Sequence, residues 1–182
     1  MPRDTEAGMA PATNETTGVD LDTVAEGLRR TAAALSPAAA PMAGWLRQRA
    51  DQLGAGYSVL TKELAAYRAL PSYDDDRVRV VMFAVRGYRV DQAVDGVLAV
   101  ADELEELARA LLADGDRQLA RAFCELADRI DEGLLKAVAD HPGWNLLPSK
   151  TNPRVKRWQR VTTVNAKRKA AEASRKKNRR KK

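Results

Sequence analysis

The chain has 182 residues, with 31 Lys and Arg, 25 Asp and Glu, and a formal net charge of +6. A single cysteine excludes an internal disulfide framework and a multi-cysteine zinc site, and a single histidine excludes a multi-histidine metal centre. No apolar run approaches the roughly 18 residues that a membrane-spanning helix needs. We therefore expect no cofactor, no bound metal and no membrane partner.

The charge is divided unevenly along the chain. Residues 1–148 hold 16 Lys and Arg against 24 Asp and Glu, a net charge of −8. Residues 149–182 hold 15 Lys and Arg against one Glu, a net charge of +14. An acidic region joined to a basic tail is typical of a protein that binds a polyanion.

These patterns divide the chain into three parts. Residues 1–19 are rich in Thr, Ala, Pro and Glu and lack the basic start and apolar centre of a signal peptide. We interpret them as a disordered leader of a cytoplasmic protein of bacterial or phage type. Residues 20–148 are predicted to form a helical bundle, and residues 149–182 a nucleic-acid-binding tail.

Three helices are predicted in the first part of the bundle, where apolar residues recur at helical spacing. They span residues 21–35, 38–53 and 57–70. Gly54 and Gly56 are expected to end the second helix, because glycine is a poor helix former. The third of these helices is expected to be short.

The stretch from residue 76 to residue 113 is the most periodic of the chain. A strand over residues 77–85 is the alternative, because that part is rich in β-branched residues, but no partner strand is evident. A short link at Gly115 then predicts an antiparallel hairpin with a helix over residues 117–139. The fold class is therefore all-α, a bundle of about five helices that includes this long hairpin. The periodic residues of the long helix are Val80, Phe83, Gly87, Val90, Val94, Val97, Ala101, Leu104, Ala108 and Leu111.

Acidic residues are interpreted mainly as helix caps and solvated faces. Asp20 or Asp22 is expected to cap the first helix, and the aspartates of residues 74–76 to cap the long helix. Residues 74–76 lack the residue order of a calcium loop. The acids of residues 102–106 are expected to form a solvated face.

No constellation of residues indicates catalysis, and we expect no enzyme activity. Cys124 lies among apolar helix residues and is expected to be a buried core residue. His141 stands in a His-Pro-Gly turn after a helix end. Trp144, Leu146 and Leu147 follow it and are expected to pack back onto the bundle.

The basic tail is the strongest functional signal. Lys and Arg attract phosphates, and a run of like charge is expected to be disordered or a frayed helix when free. An anionic membrane is less favoured, because the tail has few apolar anchors. A purely solubilising tail, or one that docks on the acidic body, is the other alternative. The candidate nucleic-acid-binding residues are Arg154, Lys156, Arg157, Trp158, Arg160, Lys167, Arg168, Lys169, Arg175, Lys176, Lys177, Arg179, Arg180, Lys181 and Lys182.

Trp158 has two possible roles. It lies among cations and could stack on an unpaired base. With Val155 and Val161 it could instead anchor the start of the tail to the bundle, which is the more favoured interpretation.

The sequence therefore predicts a non-enzymatic protein that binds DNA or RNA with little sequence specificity. The alternative is a helical interaction or scaffold protein, with self-association or a protein partner on the apolar stripe of the long helix. Polar substitutions at Val97 and Leu104 would separate the two. The acidic body is also expected to compete with nucleic acid for the tail.

Overall fold

The computed structural model describes residues 20–139 and 156–179, with side chains in the last helix described for most positions up to Glu172. These residues form five α-helices and no strand, which confirms the all-α bundle. The helices are α1 (Leu21–Ala34), α2 (Ala40–Arg68), α3 (Asp76–Asp114), α4 (Arg117–Ala139) and α5 (Arg157–Arg179), and a short 3-10 turn (Pro37–Ala39) precedes α2.

The first four helices form a closed ring around an aliphatic core. Each helix packs against the next one in the chain, and α1 also packs against α4. The links between them are short, so consecutive helices run antiparallel. α5 lies on the outside of this body, against α3 and α4.

Helix caps stand where the acidic residues and the glycine predict them. Asp20 caps α1 by accepting a hydrogen bond from the backbone N of Asp22 at 3.3 Å. Asp75 caps α3 by accepting from the backbone N of Arg77 at 2.8 Å. Gly115 ends α3 with a φ of 98°, a left-handed conformation that glycine adopts without steric cost.

The predicted break at Gly54 and Gly56 is wrong, because both glycines lie inside the continuous helix α2. Each costs about 1 kcal/mol relative to alanine, which the packing of a long buried face outweighs. Gly56 also lets α2 approach α3 closely. A Cβ there would lie 3.3 Å from Cγ2 of Val97.

The long helix α3 has almost the predicted bounds, and residues 77–85 are helical. Its periodic residues from Val90 to Ala108 are buried, but Val80 and Phe83 are 65% and 37% exposed. α3 is about 58 Å long at 1.5 Å per residue, and α4 is about 35 Å. The far end of the α2–α3 hairpin therefore projects beyond the shorter helices.

Several expectations lie outside the described residues. They are the leader of residues 1–19, the turn at His141, and the packing of Trp144, Leu146 and Leu147. Across residues 20–139 and 156–179, no helix is both long and apolar enough to cross a membrane.

Candidate nucleic-acid interface

The start of α5 is fastened to the acidic body by one buried arginine. Arg157 is 3% exposed. Its Nε and Nη2 donate to the two carboxylate oxygens of Asp131, each at 2.8 Å. Its Nη1 donates to Glu105 and Asp102, each at 2.9 Å, and to the carbonyl of Ala101 at 3.2 Å.

This arginine stays charged in spite of its burial. Burial alone lowers the pKa of Arg157, but the hydrogen bonds and negative charges of Asp131 and Asp102 raise it above its ordinary value. Breaking such a buried pair by removing one partner typically costs about 3–5 kcal/mol, because the other charge is left uncompensated. Arg157 is therefore an anchor that determines where α5 begins.

Glu105 is the second centre of this contact. Its carboxylate accepts from Arg157 at 2.9 Å, from Arg160 at 2.8 Å and from Arg109 at 2.6 Å. Burial raises its pKa, but the hydrogen bond from Arg160 and the three arginine charges outweigh burial and lower the pKa overall. The expectation of a solvated acidic face is wrong at Glu105, which is 4% exposed, because the basic helix covers it.

Two further acids of α4 hold the first residues of α5. Asp128 accepts from the backbone N of Arg157 at 3.0 Å, and burial raises the pKa of this carboxyl. Glu132 forms an ion pair with Lys156, and this hydrogen bond raises the pKa of the Lys156 ammonium. The candidate nucleic-acid-binding cations at the base of α5, residues 156–162, are Lys156, Arg157 and Arg160, and all three thus already have acidic partners.

Trp158 contributes to the same contact. Its side chain is partly buried against the core, and the guanidinium of Arg117 lies 5.7 Å from the centre of its ring. Val161 is fully buried. These positions agree with the packing role for Trp158 and Val161, whereas Val155 lies outside the described residues.

Beyond Val161 the character of α5 changes. No described residue after it is buried, and Lys167 and Arg168 are exposed. Arg168 lies 3.4 Å from Glu172, one helical turn away. We name residues 163–179 the basic arm. It carries the candidates Lys167, Arg168, Lys169, Arg175, Lys176, Lys177 and Arg179, whereas Arg154, Arg180, Lys181 and Lys182 lie outside the described residues.

Sequence reasoning missed the acids that receive Arg157. Asp131 follows Ile130 on the buried side of α4, and Glu105 follows Leu104 on the buried side of α3. A carboxylate in an apolar stripe is rarely left without a partner. That irregularity in the pattern is the signal that could have indicated a buried cationic partner.

The described residues offer little to catalytic or metal chemistry. Cys124 is fully buried, and burial raises the pKa of its thiol to about 12, so it remains protonated. Its predicted place in the core is confirmed. Within the described ranges, no three His, Cys, Asp or Glu side chains come together as a metal site.

The chain matches no protein-family model, and no curated protein or solved structure is significantly similar to it.

Proposed function

We propose that this chain is a non-enzymatic protein that binds nucleic acid through the basic arm of α5. The observation that carries the proposal is the division of α5 at Val161. The cations before it pair with the acidic body, whereas the basic arm carries seven Lys and Arg and one Glu, and none of its described side chains is buried. Concentrated positive charge on an extended element attracts phosphates and releases their counterions.

The helical form of the arm favours duplex DNA as the ligand. A helix turns about 100° per residue, so the cationic positions of the arm fall on every side of its axis. The major groove of B-form DNA admits an α-helix and has phosphates along both walls, whereas the major groove of A-form RNA is too narrow. Contacts to phosphates alone carry no sequence information, in keeping with low specificity.

The position of the anchor decides how the binding experiment is designed. A truncation after Pro148 would remove Arg157 and Val161 as well as the arm, and would leave Asp131 without Arg157 and Glu105 with Arg109 alone. A truncation after Val164 removes the cations of the arm and keeps the anchor. Binding of the full chain and of this truncation is measured on duplex DNA, single-stranded DNA and an RNA hairpin across a salt series.

We expect the full chain to bind duplex DNA most tightly, with a log–log salt slope of about −0.9 per phosphate contacted. The truncation after Val164 should lose at least about a hundredfold in affinity at low salt and keep its thermal midpoint. Equal binding by both chains would contradict a role for the arm. Preference for the RNA hairpin or for single strands would contradict the duplex assignment.

The alternative of a scaffold protein that binds its partner through Val97 and Leu104 of the long helix has less support. Val97 and Leu104 have no exposed surface, because the chain's own helices cover them. Polar substitutions there are expected to unfold the protein.

A further inference from the structure

A second apolar stripe runs along the projecting end of α3, separate from the stripe in the core. Its members are Val78, Val81, Val85 and Tyr88, spaced by three, four and three residues. They are 45%, 57%, 47% and 64% exposed. This is the a/d spacing of a helix that packs along another helix, repeated over three turns of a surface that the described residues leave open.

The stripe faces away from the bundle. At about 100° per residue, its members lie on the side of α3 opposite Val90 and Val94, which are fully buried. The side of α3 that meets α2 is marked by Phe83, whose ring contacts Tyr67 edge-on with the ring centres 5.4 Å apart. The stripe is therefore not the margin of the core.

The borders of the stripe are basic. Arg77 lies along one border and Arg89 along the other, and both are exposed. Neither side chain forms an ion pair with another described residue. The nearby Asp76 is already paired with Arg79 at 2.7 Å. Arg77 and Arg89 therefore place one positive charge on each side of this apolar surface, on a body whose net charge is negative.

We propose that this stripe is a docking surface for an acidic amphipathic helix of a protein partner. Such a helix would lay its apolar residues along Val78, Val81, Val85 and Tyr88, and its flanking carboxylates would meet Arg77 and Arg89. The amide of Gln92 donates a hydrogen bond to the Tyr88 hydroxyl at 3.0 Å. The apolar part of the Tyr88 ring stays on the stripe, and these two polar groups mark the end of the stripe.

A second copy of this chain fits the surface less well. Two stripes packed antiparallel would bring Arg77 of one copy to Arg89 of the other, and these charges repel. Charge therefore favours a different, acidic occupant.

The test uses the full chain and three synthetic peptides, each kept below its self-association concentration. The first is a helical peptide with Leu at a and d and Glu at e and g. The second has Lys at e and g, and the third is the first with its order scrambled. The scrambled peptide measures attraction to the basic arm, which depends on charge alone. Binding is followed by fluorescence anisotropy at 0.15 M salt.

We expect the acidic amphipathic peptide to bind at least tenfold more tightly than either of the others. The double variant V81S/V85S should remove this difference. The control V59S, at a valine of α2 that is 50% exposed, should retain it.

Three results would overturn the proposal. The first is equal binding of the acidic peptide and its scrambled form to the unaltered chain. The second is a dimer of the unaltered chain in light scattering that V81S/V85S makes monomeric, since a second copy would then be the occupant. The third is a lower thermal midpoint of V81S/V85S than of V59S, which would mean that the chain itself covers the stripe.

Discussion

The contact between the basic helix and the acidic body depends on a few buried charges. Arg157 reaches two helices at once, because its planar guanidinium donates in several directions in one plane. Glu105 joins three arginines, one from its own helix and two from α5. Directional hydrogen bonds of this kind fix the position of α5 along α3 and α4. The apolar contact at Val161 alone would not specify that position.

The lowered pKa of Glu105 makes part of the stability depend on pH. A carboxyl whose folded-state pKa lies below its unfolded value stabilises the fold above the unfolded pKa, and this contribution is lost as pH falls through the folded pKa. We expect E105Q to be less stable than the unaltered chain by about 2 kcal/mol at pH 7. The difference should shrink steadily as the pH falls below about 4.5. Chemical unfolding at a series of pH values measures it.

E125Q is the matched control for this prediction. Glu125 also pairs with an arginine, Arg121 at 3.0 Å, but both side chains are more than half exposed. Exposed pairs contribute little, so E125Q should change the stability by less than about 0.5 kcal/mol at every pH. A difference for E105Q that stays constant down to pH 3 would show that its effect is not electrostatic.

At the scale of the helices, the lengths of α2 and α3 relative to their neighbours determine which of their apolar side chains are exposed. The last turns of α2 and the first turns of α3 pack against each other beyond the start of α1. Arg86 and Glu63 approach to 3.5 Å there, and Tyr67 meets Phe83. The opposite side of α3 in this segment keeps its apolar residues exposed, which is the origin of the proposed docking surface.

Gly54 and Gly56, two of the three glycines inside α2, give a test of its packing. A Cβ at Gly54 would meet nothing within 4 Å, so G54A should raise the free energy of unfolding by about 0.5–1 kcal/mol. G56A removes the same backbone freedom but places its Cβ 3.3 Å from Val97, so it should gain less than half as much. Denaturant unfolding measures both. Equal gains would mean that α2 and α3 are not in close contact there.

At the scale of the whole molecule, the described ion pairs between α5 and the acidic body lie at the base of α5. The acidic body holds Lys156, Arg157 and Arg160, and the cations of the basic arm lie further along the helix. Charges separated by more than about 10 Å are largely screened at 0.1 M salt, whereas at 0.01 M the range is about 30 Å. The body should therefore oppose nucleic-acid binding mainly at low salt.

E132Q tests this competition between the body and nucleic acid. The variant removes one negative charge beside α5 and frees Lys156, so duplex DNA should bind a few-fold more tightly at 0.01 M salt, with a salt slope larger by up to about 0.9. D51N is the control. It frees Arg29 from a comparable ion pair between α1 and α2, whereas α5 packs mainly on α3 and α4. No change in binding for E132Q, or an equal change for D51N, would argue against competition at the base of α5.

Much of the fold follows from local patterns. Apolar spacing predicts α1, α3 and α4 within one residue at each end, because amphipathic periodicity and capping act over a few neighbouring residues. Local reasoning failed at Gly54 and Gly56. The cost of glycine in a helix is real there, but it is smaller than the stabilisation gained by packing α2 along α3. Asp20 and Asp22 were equally good caps in the sequence, and the observed geometry selects Asp20.

The separation of charge, the aliphatic core and the helical class were determined by the sequence alone, since each depends on composition or short-range order. The partners of Arg157 were decided only by tertiary structure. Asp131 and Asp102 are 26 and 55 residues away along the chain, and only the packing of α5 on α3 and α4 brings them to one guanidinium. The same holds for the two faces of α3, because the lengths of the neighbouring helices determine which apolar residues are covered and which stay exposed.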